Sequence, residues 1–306
     1  MAQPIALVFP GQGSQSVGML ASLAHDHPLI LQTFNEASRT LGYDVWALIQ
    51  EGPAEKLNQT EFTQPALLTA SIALWRLWLA NQKPYPSVFA GHSLGEYSAL
   101  VAAEALSFSD ALRLVTLRGR YMQSAVPVGE GAMAAILGLA DALVEEICQE
   151  VQGNEVVSPA NYNAPGQIVI SGHARAVARA MEAAKQRGAK RAILLPVSVP
   201  SHCRLMQSAA VLLGEAMGEI PFKLPNIPVI HNVDTLERAT TEGIRQALVD
   251  QLYQPVRWVD SIRVIVAKGI ATIWECGPGA VLSGLNKRIV TTLECHSLST
   301  GEALCP

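Results

Sequence analysis

The chain has 306 residues, 49% of them hydrophobic and 16% charged, with a formal net charge of −4. That length suffices for one large domain, or for a domain carrying a smaller insert, and the negative balance gives no general attraction to nucleic acid or to anionic membranes. The five cysteines, Cys148, Cys203, Cys276, Cys295 and Cys305, are scattered and never spaced C-x-x-C, so neither a disulfide framework nor a zinc site is expected and a reducing cytoplasm fits best.

The first ten residues carry no cationic leader, and their apolar run is too short for a signal segment or a membrane span, so Ile5 to Phe9 reads as a first strand. No later apolar segment approaches the roughly 18 residues of a transmembrane helix. The loop Phe9-Pro-Gly-Gln-Gly-Ser-Gln15 is glycine-rich but matches neither the dinucleotide fingerprint nor a Walker P-loop, so no nucleotide cofactor is supported. It is either a tight structural turn or a loop that brings the Gln12 N–H to an oxyanion. A second β-type run, Ser87 to Ala90, leads into Gly91-His-Ser93-Leu-Gly95, the pattern of a nucleophile on a sharp strand-to-helix turn. Glycines flank such a serine because a neighbouring Cβ would clash, and the following helix end offers unpaired N–H groups to an oxyanion.

A helix is expected from about Ala111 to Ser124, capped by Ser109 or Asp110. At 100° per residue, Leu114, Val115, Tyr121 and Met122 share a face with Arg118, while Arg113, Thr116 and Arg120 point away. An arginine within an apolar stripe snorkels, pairs with a buried acid, or awaits an anion, for which its planar fork suits a carboxylate or phosphate.

From about Gly131 to Val197 the pattern changes to strand (Ala132 to Gly138), helix (Ala142 to Val151), strand (Gln167 to Ser171), helix (Ala174 to Arg187) and strand (Ala192 to Val197). This is close to a split βαβ unit with its own sheet. Further β-type runs at Ile193 to Val199, Val229 to His231 and Ala271 to Glu275 complete a mostly parallel α/β sheet, whose strand ends would gather four loops around one cleft. The segment after Leu293 has no clear pattern and is expected to fray. Lys185, Arg187, Lys190 and Arg191 form the densest basic cluster, with Lys287 and Arg288 a second patch.

A nucleophilic serine needs a base. His173, His202 and His231 all follow strand-like runs, His202 slightly favoured by the Pro200-Ser201 turn before it. No aspartate between Ser93 and His202 sits at a strand end, so a full triad is not visible, and a backbone carbonyl can orient the imidazole instead.

Several motifs in order, Phe9-Pro-Gly-Gln-Gly-Ser14, Thr63-Gln-Pro-Ala66, Gly91-His-Ser-Leu-Gly-Glu96, Arg118-Gly-Arg120, Asn161-Tyr-Asn-Ala-Pro-Gly166, Pro196 to His202, Gln251-Leu-Tyr253 and Glu275-Cys-Gly-Pro-Gly279, give the chain a nearly end-to-end likeness. It resembles the malonyl-CoA:acyl carrier protein transacylases. The resemblance implies an α/β-hydrolase-like core with a mostly parallel sheet (1–128 and 199–306) and an inserted ferredoxin-like subdomain (129–198). It implies transfer of malonyl from malonyl-CoA to the phosphopantetheine thiol of holo acyl carrier protein through an ester on Ser93, in fatty-acid synthesis. Here His202 is base and acid, Gln12 and Leu94 supply oxyanion N–H groups, Arg118 binds the malonyl carboxylate, and the Gln251 carbonyl orients His202. His92 shapes the pocket and Asn163 lines the cleft. No cofactor and no metal are implied, and a monomer is expected. A serine hydrolase, a non-catalytic carrier-binding scaffold and a polyketide acyltransferase are the competing readings.

Overall fold

A computed structural model describes residues 3–197 and 199–300. Five parallel strands, β1 (Ile5–Phe9), β2 (Val88–Gly91), β7 (Val229–Ile230), β8 (Thr272–Glu275) and β9 (Glu294–Ser297), form the main sheet in the order β7-β2-β1-β8-β9. The central strands read as continuous apolar runs because helices cover both faces. Leu7, Phe9 and Phe89 pack with the helices Thr60–Ala80 and Phe108–Ser124, whereas Ala6, Val8, Val88 and Ala90 pack on the other face with Trp258, Ile262 and Ile265.

Four antiparallel strands, β3 (Gly131–Leu137), β4 (Val157–Ala164), β5 (Gln167–His173) and β6 (Arg191–Leu194), make a second sheet in the order β4-β5-β3-β6. The helices Asp141–Val151 and Ala174–Gln186 cover one face of it. The β-α-β-β-α-β sequence is the ferredoxin-like arrangement, with one strand more than the sequence pattern indicates. That strand is β4, whose Pro159, Asn161 and Asn163 mask a ladder interrupted by two register shifts. The small sheet is stitched to the core where Val256 N–H donates to Ala160 O and Tyr162 N–H to Val256 O.

Three expectations are corrected. Among its described residues, the run Ile193 to Val199 adds no strand to the main sheet: Ile193 and Leu194 belong to β6, which edges the small sheet. The described part of the segment after Leu293 is regular: β9, whose Cys295 side chain is buried against the core, is followed by a 3-10 turn at Leu298–Thr300. The helix bearing Arg118 starts at Phe108 and is capped by Ser107, whose Oγ accepts from Asp110 N at 3.1 Å, so neither Ser109 nor Asp110 is the cap. Cys305 and the expected 198/199 boundary lie outside the described residues. Among the described residues, no helix is long and apolar enough to cross a membrane.

Candidate active site

The turn after β2 is built by close backbone approach. A Cβ on Gly91 would lie 1.9 Å from the Gly95 carbonyl carbon, and one on Gly95 would lie 2.0 Å from Phe9 O. Between them Ser93 adopts φ 51°, a left-handed conformation costly for a non-glycine residue, which aims its side chain out of the turn. Asn232 holds that strained turn: its Oδ1 accepts from Ser93 N at 2.7 Å and its Nδ2 donates to Gly91 O at 2.6 Å.

Ser93 Oγ donates to His202 Nε2 at 2.8 Å, and His202 Nδ1 donates to the Gln251 carbonyl at 2.7 Å. A carbonyl acceptor fixes the tautomer that leaves Nε2 free to take a proton. His202 itself sits at φ 62° and is tied by its N–H to Leu252 O, so its position comes from the helix Thr241–Tyr253 and not from the end of a main-sheet strand. Burial first, and then the Arg118 charge, push the His202 pKa down to about 3. Neither other histidine reaches the serine. His231 donates through Nδ1 to Glu96 at 2.6 Å, and His173 Nδ1 accepts from Val156 N at 2.9 Å.

Arg118 is fully buried, with its side chain crossing the core to Ser93. Its guanidinium donates to Gln64 Oε1 at 2.8 Å, to Gln251 Oε1 at 2.9 Å and to Ser93 Oγ at 3.2 Å. It therefore neither snorkels nor touches a carboxylate, the third of the possibilities its helical position leaves open. The sequence reading has Gln64 and Glu96 only as members of motifs and His231 only as a candidate base: the contact of Gln64 with Arg118 leaves no local signal in an apolar helix, and the joint role of Glu96, His231 and Asn232 exists only after β7 and β2 pair.

A cavity of about 290 Å³ opens above Ser93 and His202. Gln12, Asn58 and Thr60 from the core line it on one side, and Met133, Asn161, Asn163, Val169 and Leu195 from the small-sheet region on the other. His92 Nε2 meets Asn163 Oδ1 at 2.8 Å across that divide, and burial lowers the His92 pKa. Gln12 lines the cavity and Leu94 caps the helix Gly95–Ala102; among the described residues, neither N–H donates to a backbone acceptor. Those are the properties that oxyanion donors require. No cluster of His, Cys, Asp and Glu suited to a metal occurs among the described residues.

Residues 6–297 match the profile of the acyl transferase domain family. The malonyl CoA-acyl carrier protein transacylase of Salmonella typhimurium is 56% identical over 299 residues, spanning 98% of this chain and 97% of its own length. The solved structure of the malonyl CoA-acyl carrier protein transacylase from Coxiella burnetii superimposes with a TM-score of 0.98 at 54% identity, over 99% of this chain and 96% of that one. A malonyl-transacylase solved in complex with its type II PKS acyl-carrier protein gives a TM-score of 0.97 at 53% identity, over 99% of both chains.

Proposed function

The chain belongs to the acyl transferase domain family, and from that premise we propose that it moves malonyl from malonyl-CoA to the phosphopantetheine thiol of holo acyl carrier protein, for fatty-acid synthesis in the cytoplasm. The observation that carries this reading is a buried arginine, free of any carboxylate partner, donating to the oxygen of a histidine-paired serine. A pocket built for neutral acyl groups has no use for that charge, whereas a dicarboxylic acyl group supplies the direct ion pair that Arg118 lacks.

Ser93 Oγ attacks the thioester carbonyl as its proton passes to His202 Nε2, and the N–H groups of Gln12 and Leu94 receive the oxyanion. The C–S bond then breaks, coenzyme A leaves with the proton from His202, and malonyl remains esterified to Ser93. The carrier thiol reverses these steps. Arg118 holds the free carboxylate, which places the reacting carbonyl beside Ser93 with little motion left to lose. His92 and Asn163 close the side of the pocket, and the Gln251 carbonyl keeps His202 in its basic tautomer. The residues act through acid–base and nucleophilic chemistry of their own, without a cofactor. The division into a core (1–128 and 199–306) and an insert (129–198) belongs to the same proposal, supported by two separate sheets with the cavity between them.

Intact mass after brief mixing with malonyl-CoA tests it. One malonyl adduct that moves to holo acyl carrier protein, and is absent in Ser93→Ala, is the expected result; an adduct lost to water in the presence of carrier points to a hydrolase. The complex of a 53% identical relative with a type II PKS carrier favours a second reading of the partner, with the same chemistry serving polyketide assembly. Comparing the two classes of carrier as acceptors separates these readings.

A further inference from the structure

Behind the nucleophile lies a carboxylate that the transfer chemistry does not use. Glu96 is fully buried. Its Oε1 accepts from His231 Nδ1 at 2.6 Å, and its Oε2 accepts from Asn232 N at 2.9 Å and from Gln251 Nε2 at 2.9 Å. The same Gln251 amide presents Oε1 to Arg118 at 2.9 Å, and its Nε2 also reaches Ser93 O at 3.0 Å. The orientation of this amide is over-determined: a carboxylate only accepts and a guanidinium only donates, so Nε2 must face Glu96 and Oε1 must face Arg118. A buried anion and a buried cation are thus coupled through one side-chain dipole, with no direct contact between them.

Resting on the reading that Arg118 receives the malonyl carboxylate, we propose that Glu96 is a positioning residue that acts through Gln251 as the standing counter-charge of Arg118 and so limits how tightly a carboxylate-bearing acyl group binds. The malonyl carboxylate enters as a second anion on a cation already partly balanced. Two facts support this. Arg118 Nε has no hydrogen-bond partner, so the guanidinium keeps donor capacity in reserve. Burial lowers the Arg118 pKa, and Tyr97 and then Glu96 oppose that shift. A pocket of this kind suits an acyl group that must be handed on: full pairing with Arg118 would stabilise bound substrate and transition state alike, which slows release without hastening transfer.

The test separates charge from scaffolding by its sign. In a Ser93→Ala background, which takes no acyl group, calorimetry measures the affinity for malonyl-CoA and for acetyl-CoA, which lacks the carboxylate. Adding Glu96→Gln is expected to tighten malonyl-CoA about tenfold, the scale of a charge coupling across one amide at an effective dielectric of about 20, and to move acetyl-CoA by less than about twofold. Weaker or equal malonyl-CoA binding, or parallel changes for both thioesters, overturns the proposal, because a merely structural residue cannot improve one ligand selectively. Glutamine is isosteric here, and His231 can turn an unprotonated Nδ1 toward the new amide. Should that variant not fold, Glu96→Asp, which draws the charge back from Gln251, is expected to tighten malonyl-CoA by a smaller factor, and no tightening overturns the proposal. Adding Arg118→Ala in place of the Glu96 change should abolish the preference for malonyl-CoA. If it does not, the reading of Arg118 fails; if it does and Glu96→Gln brings no tightening, only the role of Glu96 fails.

Discussion

His202, the base in the proposed reaction, is neutral in the resting protein, since burial and the neighbouring Arg118 charge bring its pKa down to about 3. The unfolded chain binds a proton at this residue below about 6.5 and the folded chain does not, so this contribution to stability is full above 6.5 and is lost as pH falls toward 3. The same shift sets the pH dependence of acylation. The acid limb of kcat/KM for malonyl-CoA, which reports the free protein, is expected well below pH 6; if Arg118 pairs with the malonyl carboxylate as proposed, the cationic field is relieved and the limb of kcat is expected to move upward. Pre-steady-state acylation rates from pH 4 to 8 check this, and coincident limbs near 6.5 would contradict it. At this scale the sequence discloses what is local. The glycines around Ser93 and the helical phase of Arg118 are readable within a few residues. The choice among His173, His202 and His231 is not, because it depends on which histidine the helix Thr241–Tyr253 draws over the serine and on Glu96 engaging His231.

Helix packing sets where Arg118 sits. The helix Phe108–Ser124 crosses the helix Thr60–Ala80 at Gly119, where a Cβ would lie 2.6 Å from Glu61 Cα and 2.8 Å from Thr60 O. This close approach lets Gln64 reach the Arg118 guanidinium. Gly119→Ala therefore sets two effects against each other. Helix propensity favours alanine by about 1 kcal/mol, but overpacking against backbone that cannot give way costs about 1–3 kcal/mol, so the variant is expected to be less stable. Urea denaturation measures that loss, and half-saturation by malonyl-CoA should rise as Gln64 and Arg118 separate; a variant as stable as the parent would show that the crossing is loose. Elements with a strong local pattern are legible at this scale, as in the continuous apolar runs of β1 and β2 and the amphipathic period of the helix Asp141–Val151. Strand β4 is not, because its prolines and asparagines are tolerated by tertiary pairing with β5 and by Val256. Nor is β9, a four-residue edge whose apolar signal is little more than Cys295.

Across the whole molecule, the basic residues that the sequence groups into two patches are redistributed by the fold. Arg187 is held by Glu146 and Glu150, and Lys185 lies 3.9 Å from Glu182, which leaves little of their charge for a partner. Lys190, just before β6, and Arg191 on it instead line one cavity of about 350 Å³ together with Arg288 from the core helix Val281–Ile289. Arg288 reaches across to donate to Gln167 on β5, so the cationic surface straddles both parts of the molecule that wall the cavity above Ser93. An acidic carrier protein docked there would touch both parts at once, and its attraction would be long-ranged despite the chain's net charge of −4. Reversing charge at Lys190, Arg191 and Arg288 is therefore expected to raise the KM for holo acyl carrier protein about tenfold or more and to flatten its dependence on salt. Acylation by malonyl-CoA, followed by mass in the absence of carrier, should stay near the parent rate. Loss of both half-reactions would place these residues in the coenzyme A site instead, and loss of neither would move the docking face away from the seam between the sheets.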